Sequence, residues 1–223
     1  MELLLIRHGD PDYAQDSLTE RGFEEARQLS QALAQVQIDD LYVSPLGRAR
    51  ATCAFTAQAK GLLPVTLDWL RERGIKRGEV YLWEAPGAMF LQAATLGTQN
   101  DWFEPDGAMP EGAEQFAHVR AGLNDLLQSY GYVREGHAYR VEGGSDRRIA
   151  LFCHKGVILT LLADVLHWAL PMVFVSLHIH PTGVTRLEMV EQDGFAHLKA
   201  LAINDLSHLG SPLLAPPTRP RRV

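Results

Sequence analysis

Leu3-Leu4-Leu5-Ile6-Arg7-His8-Gly9 stands at the start of the chain, and how that stretch is read decides the fold. An unbroken apolar run without alternation is the pattern of a strand buried on both faces, as in a parallel sheet covered by helices. The run stops at two polar residues, so Arg7 and His8 fall at the strand's carboxyl end. In an open α/β sheet that is where ligands bind.

The segments that follow fit the same architecture. Ser17-Leu18-Thr19-Glu20 has the S-x-x-E spacing of a capping box, and Ala26, Leu29, Leu33 and Val36 follow at helical spacing. Asp40-Leu41-Tyr42-Val43 predicts a second strand, halted by Ser44-Pro45, and a second helix is expected from about Gly47 to Lys60. Val65-Thr66-Leu67 predicts a third strand. Strands and helices alternating over short links are the signature of βαβ units with right-handed crossovers.

From about Arg73 to Ser145 glycine and proline punctuate two expected helices, near Pro86 to Leu96 and Glu111 to Tyr130, and this region reads as an insertion over the sheet. Regular structure returns with Arg148-Ile149-Ala150-Leu151-Phe152-Cys153, a strand whose end carries His154, followed by an apolar helix from Val157 to Leu166. Val173 to His180, Val184 to Val190 and Phe195 to Ile203 read as a closing β meander. The tail from Ala215 to Val223 is rich in proline and arginine and is expected to be disordered. The fold class expected is therefore a three-layer α/β/α sandwich with a mostly parallel sheet, one domain over 1–214 with a helical cap at about 73–145.

Composition narrows the function. At 223 residues and 46% hydrophobic the chain can bury a full core without disulfides. Its two cysteines, Cys53 and Cys153, form neither a disulfide framework nor a C-x-x-C pair, which predicts a reducing, cytoplasmic setting. The apolar start is too short and wrongly flanked for a signal peptide, and no later run approaches ~18 residues, so no membrane partner is expected. A net charge of −6 argues against a nucleic-acid partner, whose phosphates demand many cations. A small anion needs only a few.

Those few are identifiable. If the strands ending at His8 and His154 are neighbours, both imidazoles share one crevice with Arg7, and Arg48 enters it near a helix N-terminus, where free N–H groups and the dipole also favour an anion. Two arginines, two histidines and a helix end describe a phosphate site.

Arg7-His8-Gly9, Ser44-Pro45-Leu46-x-Arg48-Ala49-x-x-Thr52, a carboxylate at Glu72 and a strand ending in His154 together resemble the histidine phosphatase superfamily, with its phosphoglycerate-mutase-like fold, from residue 1 to about residue 209. Leu18-Thr19-x-x-Gly22, Pro110-Glu111-Gly112-x-Glu114 and Arg120 are also similar to that family, and Ser207-His208-Leu209 is similar to its broad phosphatase branch. The resemblance implies a metal-independent phosphomonoesterase with no cofactor. His8 would be the nucleophile, its other ring nitrogen donating to a carbonyl. Arg7 and Arg48 would clamp the phosphoryl oxygens, and His154 would donate to them. Glu72 would protonate the leaving oxygen and then activate water. Gly9 would let the backbone pass close to the ligand.

Two departures bear on this reading. Asp10-Pro11 follows Gly9 where many members carry Glu or Gln and then Thr, and residues 10–19 lack the Asn- and Trp-containing loop of the mutases, which favours phosphatase over mutase. His154-Lys155-Gly156 replaces the frequent His-Gly, so Lys155 is either a cation at the mouth or a solvated side chain. The substrate expected is a small phosphorylated metabolite, among sugar phosphates, phosphoglycerates, nucleotides and cofactor precursors. Oligomeric state stays open, a homodimer included.

Plainer readings stand beside these. Leu70-Arg71-Glu72-Arg73 would serve as a solvated charge run, leaving Glu79 or Glu84 as the acid. A non-catalytic phospho-ligand binder would use the same clamp. His178-x-His180 has metal-ligand spacing on one face of the expected strand, but no third ligand is identifiable and incidental histidines fit better. Cys153 reads as a core residue and His208 as a cap; Arg73, Lys76 and Arg77 are either anion contacts or a basic face, and Trp83 and Trp102 are the candidate pocket walls among the tryptophans.

Overall fold

The computed structural model describes residues 1–72, 74–77, 80–84 and 110–210. Eight strands form its main sheet: β1 (Glu2–Arg7), β2 (Asp40–Val43), β3 (Val65–Thr66), β4 (Tyr132–Glu135), β5 (Ala138–Val141), β6 (Arg148–Cys153), β7 (Val184–Gln192) and β8 (Phe195–Asp205). Across the sheet they run β3-β2-β6-β1-β7-β8-β5-β4. The pairings β3 with β2, β2 with β6 and β6 with β1 are parallel, and those from β1 outward to β4 are antiparallel. The sheet is thus mixed, and its parallel half carries the strand tips singled out by the sequence.

Helices cover both faces. Leu4 and Ile6 of β1, with Ala150 and Phe152 of β6, pack against Leu29 and Leu33 of α1 (Glu20–Leu33) and Ala49 and Cys53 of α2 (Gly47–Lys60). Leu3, Leu5, Ile149 and Leu151 turn the other way, towards α3 (Pro110–Gln128), α4 (Lys155–Val165) and α5 (Leu170–Ser176). The unbroken apolar run of β1 is explained by this: alternate side chains serve two separate cores, so neither face tolerates a polar residue. Among the described residues no helix is long and apolar enough to cross a membrane.

Several expectations change. The cap of α1 is Thr19, whose side chain accepts from the Gly22 amide, rather than Ser17. Ser17 is taken up by a short ladder that pairs Asp12 with Ser17 and Pro11 with Leu18. Val36 lies past the end of α1 and packs on the core from the link to β2. The stretch from Val173 to His180 is not a strand. Pro171 sits at the start of α5, and Leu170, Val173 and Phe174 bury one helical face. His178 and His180 therefore lie in the loop after α5, their rings 4.3 Å apart, and not on a sheet face. Within 73–145, the hairpin β4–β5 extends the sheet edge instead of lying over it. The helix expected near Pro86 to Leu96 and the tail from Ala215 lie outside the described residues.

Candidate active site

Three neighbouring parallel strands end side by side. Arg7 of β1 is in register with Cys153 of β6, and Phe152 of β6 with Val43 of β2, so the next residues His8, His154 and Ser44 emerge at one edge. Backbone bonds hold the row: the His8 amide donates to the Cys153 carbonyl at 3.0 Å and the Ser44 amide to the Phe152 carbonyl at 2.9 Å. The two imidazoles face each other with ring centroids 5.1 Å apart, and both are buried.

His8 is fixed by its own turn. Its Nδ1 lies 2.7 Å from the Gly9 carbonyl. A carbonyl accepts only, so Nδ1 carries the hydrogen and Nε2 keeps a lone pair. Burial, reinforced by the Arg7 charge, drops the His8 pKa to about 3, so the ring is neutral at pH 7. The Gly9 amide donates to Oγ1 of Thr52, whose hydroxyl in turn donates to the Arg48 carbonyl. Gly9 is needed for packing on α1. A Cβ there would sit 2.6 Å from the Gly22 carbonyl oxygen, so it is α1 that the backbone passes closely.

Around the imidazoles stand the remaining expected residues. Arg7 Nη1 donates to the Ile179 carbonyl, which aims the guanidinium, and its buried Nε has no partner among the described residues. Arg48, in the first turn of α2, also has a buried Nε without a partner there. Glu72 is the carboxylate that the fold brings in. Burial raises its pKa against the opposing pull of the Gly156 amide, Arg7, Arg48 and Lys155. The Gly156 amide approaches its Oε2 at 3.4 Å, while Oε1 is buried without a partner among the described residues. Of the rival acids, Glu84 is exposed and Glu79 lies outside the described residues. Lys155 opens α4, its Nζ 5.6 Å from the Trp83 ring, so it borders the cap beside the site. Trp83 is stacked between Tyr81 and Phe174. Trp102 and Arg73 lie outside the described residues.

The remaining singled-out residues belong elsewhere. Arg120 bonds the buried Asp164 at 2.7 Å and covers the Phe116 ring. Asp164 also takes Arg134, so it ties α3, β4 and α4 together rather than serving the site. Both cysteines are free and buried, and burial pushes the Cys53 thiol up to about 12 and Cys153 higher still, so neither is a nucleophile at neutral pH. His208 is tied to the turn beneath Arg7 and His8. Its Nε2 lies 3.0 Å from Oγ1 of Thr182, whose amide donates to the carbonyls of both residues.

Sequence reasoning missed four supports. Ser44 Oγ lies 2.7 Å from His154 Nε2 and also accepts from the Leu46 amide. The Ser-Pro-Leu motif held that signal. Asp16 accepts from Arg48 Nη1 and from the Gly47 amide, both at 2.7 Å, and against burial these bonds hold its carboxyl below the usual range. Tyr13 lies over the same guanidinium at 5.4 Å. No motif marks either residue. The Ile179 carbonyl that aims Arg7 is backbone, invisible to any side-chain pattern.

Comparison with known proteins gives the family and the fold. A family model described as histidine phosphatase superfamily (branch 1) matches residues 3–202. A protein of Schizosaccharomyces pombe described as a probable phosphatase is 25% identical over 226 residues, covering 95% of this chain and 96% of that one. Among solved structures, mycobacterial glucosyl-3-phosphoglycerate phosphatase with inorganic phosphate superposes with a TM-score of 0.64 at 22% identity, over 93% of this chain and 98% of that one. Phosphoserine phosphatase of Entamoeba histolytica with 3-phosphoglyceric acid gives 0.62 at 20% identity, over 93% and 98%.

Proposed function

The chain belongs to the histidine phosphatase superfamily, and from that premise we propose that it is a phosphatase that hydrolyses a small phosphate monoester through a phosphohistidine at His8. One observation carries the reading. His8 is held neutral with its Nδ1 hydrogen spent on the Gly9 carbonyl, which leaves a lone pair on Nε2 of a ring 5.1 Å from that of His154 and under the charges of Arg7 and Arg48.

The steps follow from the groups present. Nε2 of His8 attacks phosphorus, forming an N–P bond as the ester P–O bond breaks. Arg7 and Arg48 balance the equatorial oxygens, and their unpartnered Nε atoms are donors awaiting such an acceptor. His154 contributes a third donor. With the Ser44 hydroxyl donating to its Nε2, the hydrogen resides on Nδ1, which is buried and without a partner among the described residues. Its pKa, driven to about 2 by burial and the neighbouring His8, keeps it a neutral donor. Glu72 delivers a proton to the departing alkoxide and takes one from the water that cleaves the N–P bond, and its raised pKa suits both tasks. Lys155 borders the leaving-group side with Trp83.

The related phosphatases are named for glucosyl-3-phosphoglycerate and phosphoserine, both small phosphorylated metabolites, and that substrate class is proposed here. Two unpaired, buried cysteines support a cytoplasmic setting. The test is hydrolysis of p-nitrophenyl phosphate with excess EDTA by wild type and His8→Ala in parallel. Turnover that survives EDTA and vanishes in the variant is expected; a variant with the full rate refutes the proposal. A mutase would instead move phosphate to a second hydroxyl of a phosphoglycerate.

A further inference from the structure

His137 and His167 lie far apart in sequence and meet on the surface. His137 occupies the turn of the β4–β5 hairpin, and His167 follows the end of α4. Their Nδ1 atoms are 3.2 Å apart, with the rings edge to face at 4.4 Å between centroids. His167 Nε2 lies 3.2 Å from the His137 carbonyl, which can only accept, so Nε2 carries the hydrogen and Nδ1 presents a lone pair. A backbone carbonyl that fixes one ring nitrogen while the other is left to coordinate is the usual second shell of a metal-binding histidine.

We infer that His137 and His167 form a bidentate site for an imidazole-preferring divalent cation such as Zn²⁺ or Cu²⁺, clasping the β4–β5 hairpin to the end of α4. With metal–nitrogen bonds of about 2.0–2.1 Å, nitrogens at the observed spacing subtend an angle of about 100° at the metal, between octahedral and tetrahedral values. Without metal, the His137 Nδ1 hydrogen bridges to His167. On binding, that proton leaves Nδ1 and reappears on the exposed His137 Nε2 through solvent, and the two rings tilt so that both lone pairs turn from each other to the ion. Water completes the coordination, because among the described residues no group of three or more ligand side chains is present. Arg134 is the nearby fixed cation, and its charge is engaged by Asp164.

The pair sits at the far end of the eleven-residue α4 from His154, about 16 Å away along the axis. The clasp is therefore separable from hydrolysis. The test titrates chelator-stripped full-length protein with Zn²⁺ and with Cu²⁺, following thermal unfolding and the fluorescence of Trp168, which adjoins His167 and is 45% exposed. One ion per chain, a raised Tm and tighter binding of Cu²⁺ than Zn²⁺ are expected. His137→Ala and His167→Ala, with His137→Gln as a second variant at the turn, should each weaken binding at least about tenfold while keeping wild-type turnover of p-nitrophenyl phosphate. Unchanged affinity in folded variants, or no Tm shift at millimolar metal, overturns the inference.

Discussion

The carboxylate of Asp16 bridges Arg48 Nη1 and the Gly47 amide, both at 2.7 Å, so an acidic loop residue fixes the guanidinium proposed to clamp the anion. The side chain is 45% exposed, which places it at the rim. Asp16→Ala releases the guanidinium and should lower kcat/KM about tenfold, with a matching rise in the inhibition constant of inorganic phosphate. Asp16→Asn keeps an acceptor for Gly47 and should lose less. Steady-state kinetics with phosphate as competitor checks both.

In the proposed mechanism Ser44 sets the tautomer of His154. Ser44→Ala removes the hydroxyl beside Nε2, so the hydrogen is no longer held on Nδ1. A fall in kcat of about tenfold with little change in Tm is expected. Ser44→Thr, which keeps the hydroxyl, should recover part of it.

The role of Glu72 depends on the leaving group. Glu72→Gln should lower kcat/KM for an alkyl phosphate about 100-fold or more, whereas kcat/KM for p-nitrophenyl phosphate, whose phenolate departs without a proton, should fall far less. For both, kcat should fall, because the water that cleaves the N–P bond loses its base. Because the free enzyme's acid must be protonated for the first step, its raised pKa sets an alkaline limb in kcat/KM on alkyl esters. That limb should disappear in the variant. A pH profile for each substrate decides it.

His8 and His154 also make stability depend on pH. Each has a folded pKa far below the 6.5 of the free imidazole, about 3 and about 2. Their contribution is full above pH 6.5 and is lost as pH falls towards 3, because the unfolded chain binds protons that the folded chain refuses. Each should cost about 1.4 kcal/mol per pH unit well below 6.5. Denaturant midpoints from pH 7 to 5 should fall steeply in wild type and less so in His8→Asn.

Asp164 is a stability residue. Its carboxylate is 1% exposed and binds both Arg120 and Arg134. Asp164→Ala strands the guanidiniums and should cost about 3 kcal/mol, leaving KM for p-nitrophenyl phosphate unchanged. Equilibrium unfolding beside kinetics separates the two effects.

The residues that were legible in the sequence share a property: each sits where a regular pattern stops. Arg7, His8 and His154 end apolar strands, and Arg48 follows Ser44-Pro45 at a helix start. The parallel half of the sheet followed from those runs. The helix at Leu170–Ser176 was misread because Val173, Phe174 and Val175 favour strands by composition, while the deciding signal was Pro171 with apolar residues at helical spacing. Asp16 and the Ile179 carbonyl were beyond reach, since their contacts depend on how two loops meet.

The central claim is a bond between phosphorus and His8. Rapid quenching into alkali of protein mixed with a radiolabelled phosphate monoester tests it most directly, because a phosphoimidazole survives base. The account predicts label on the wild-type chain at His8, formed and lost at rates consistent with turnover, and none on His8→Ala. Turnover by wild type with no label on His8, or with label on another residue, would contradict it.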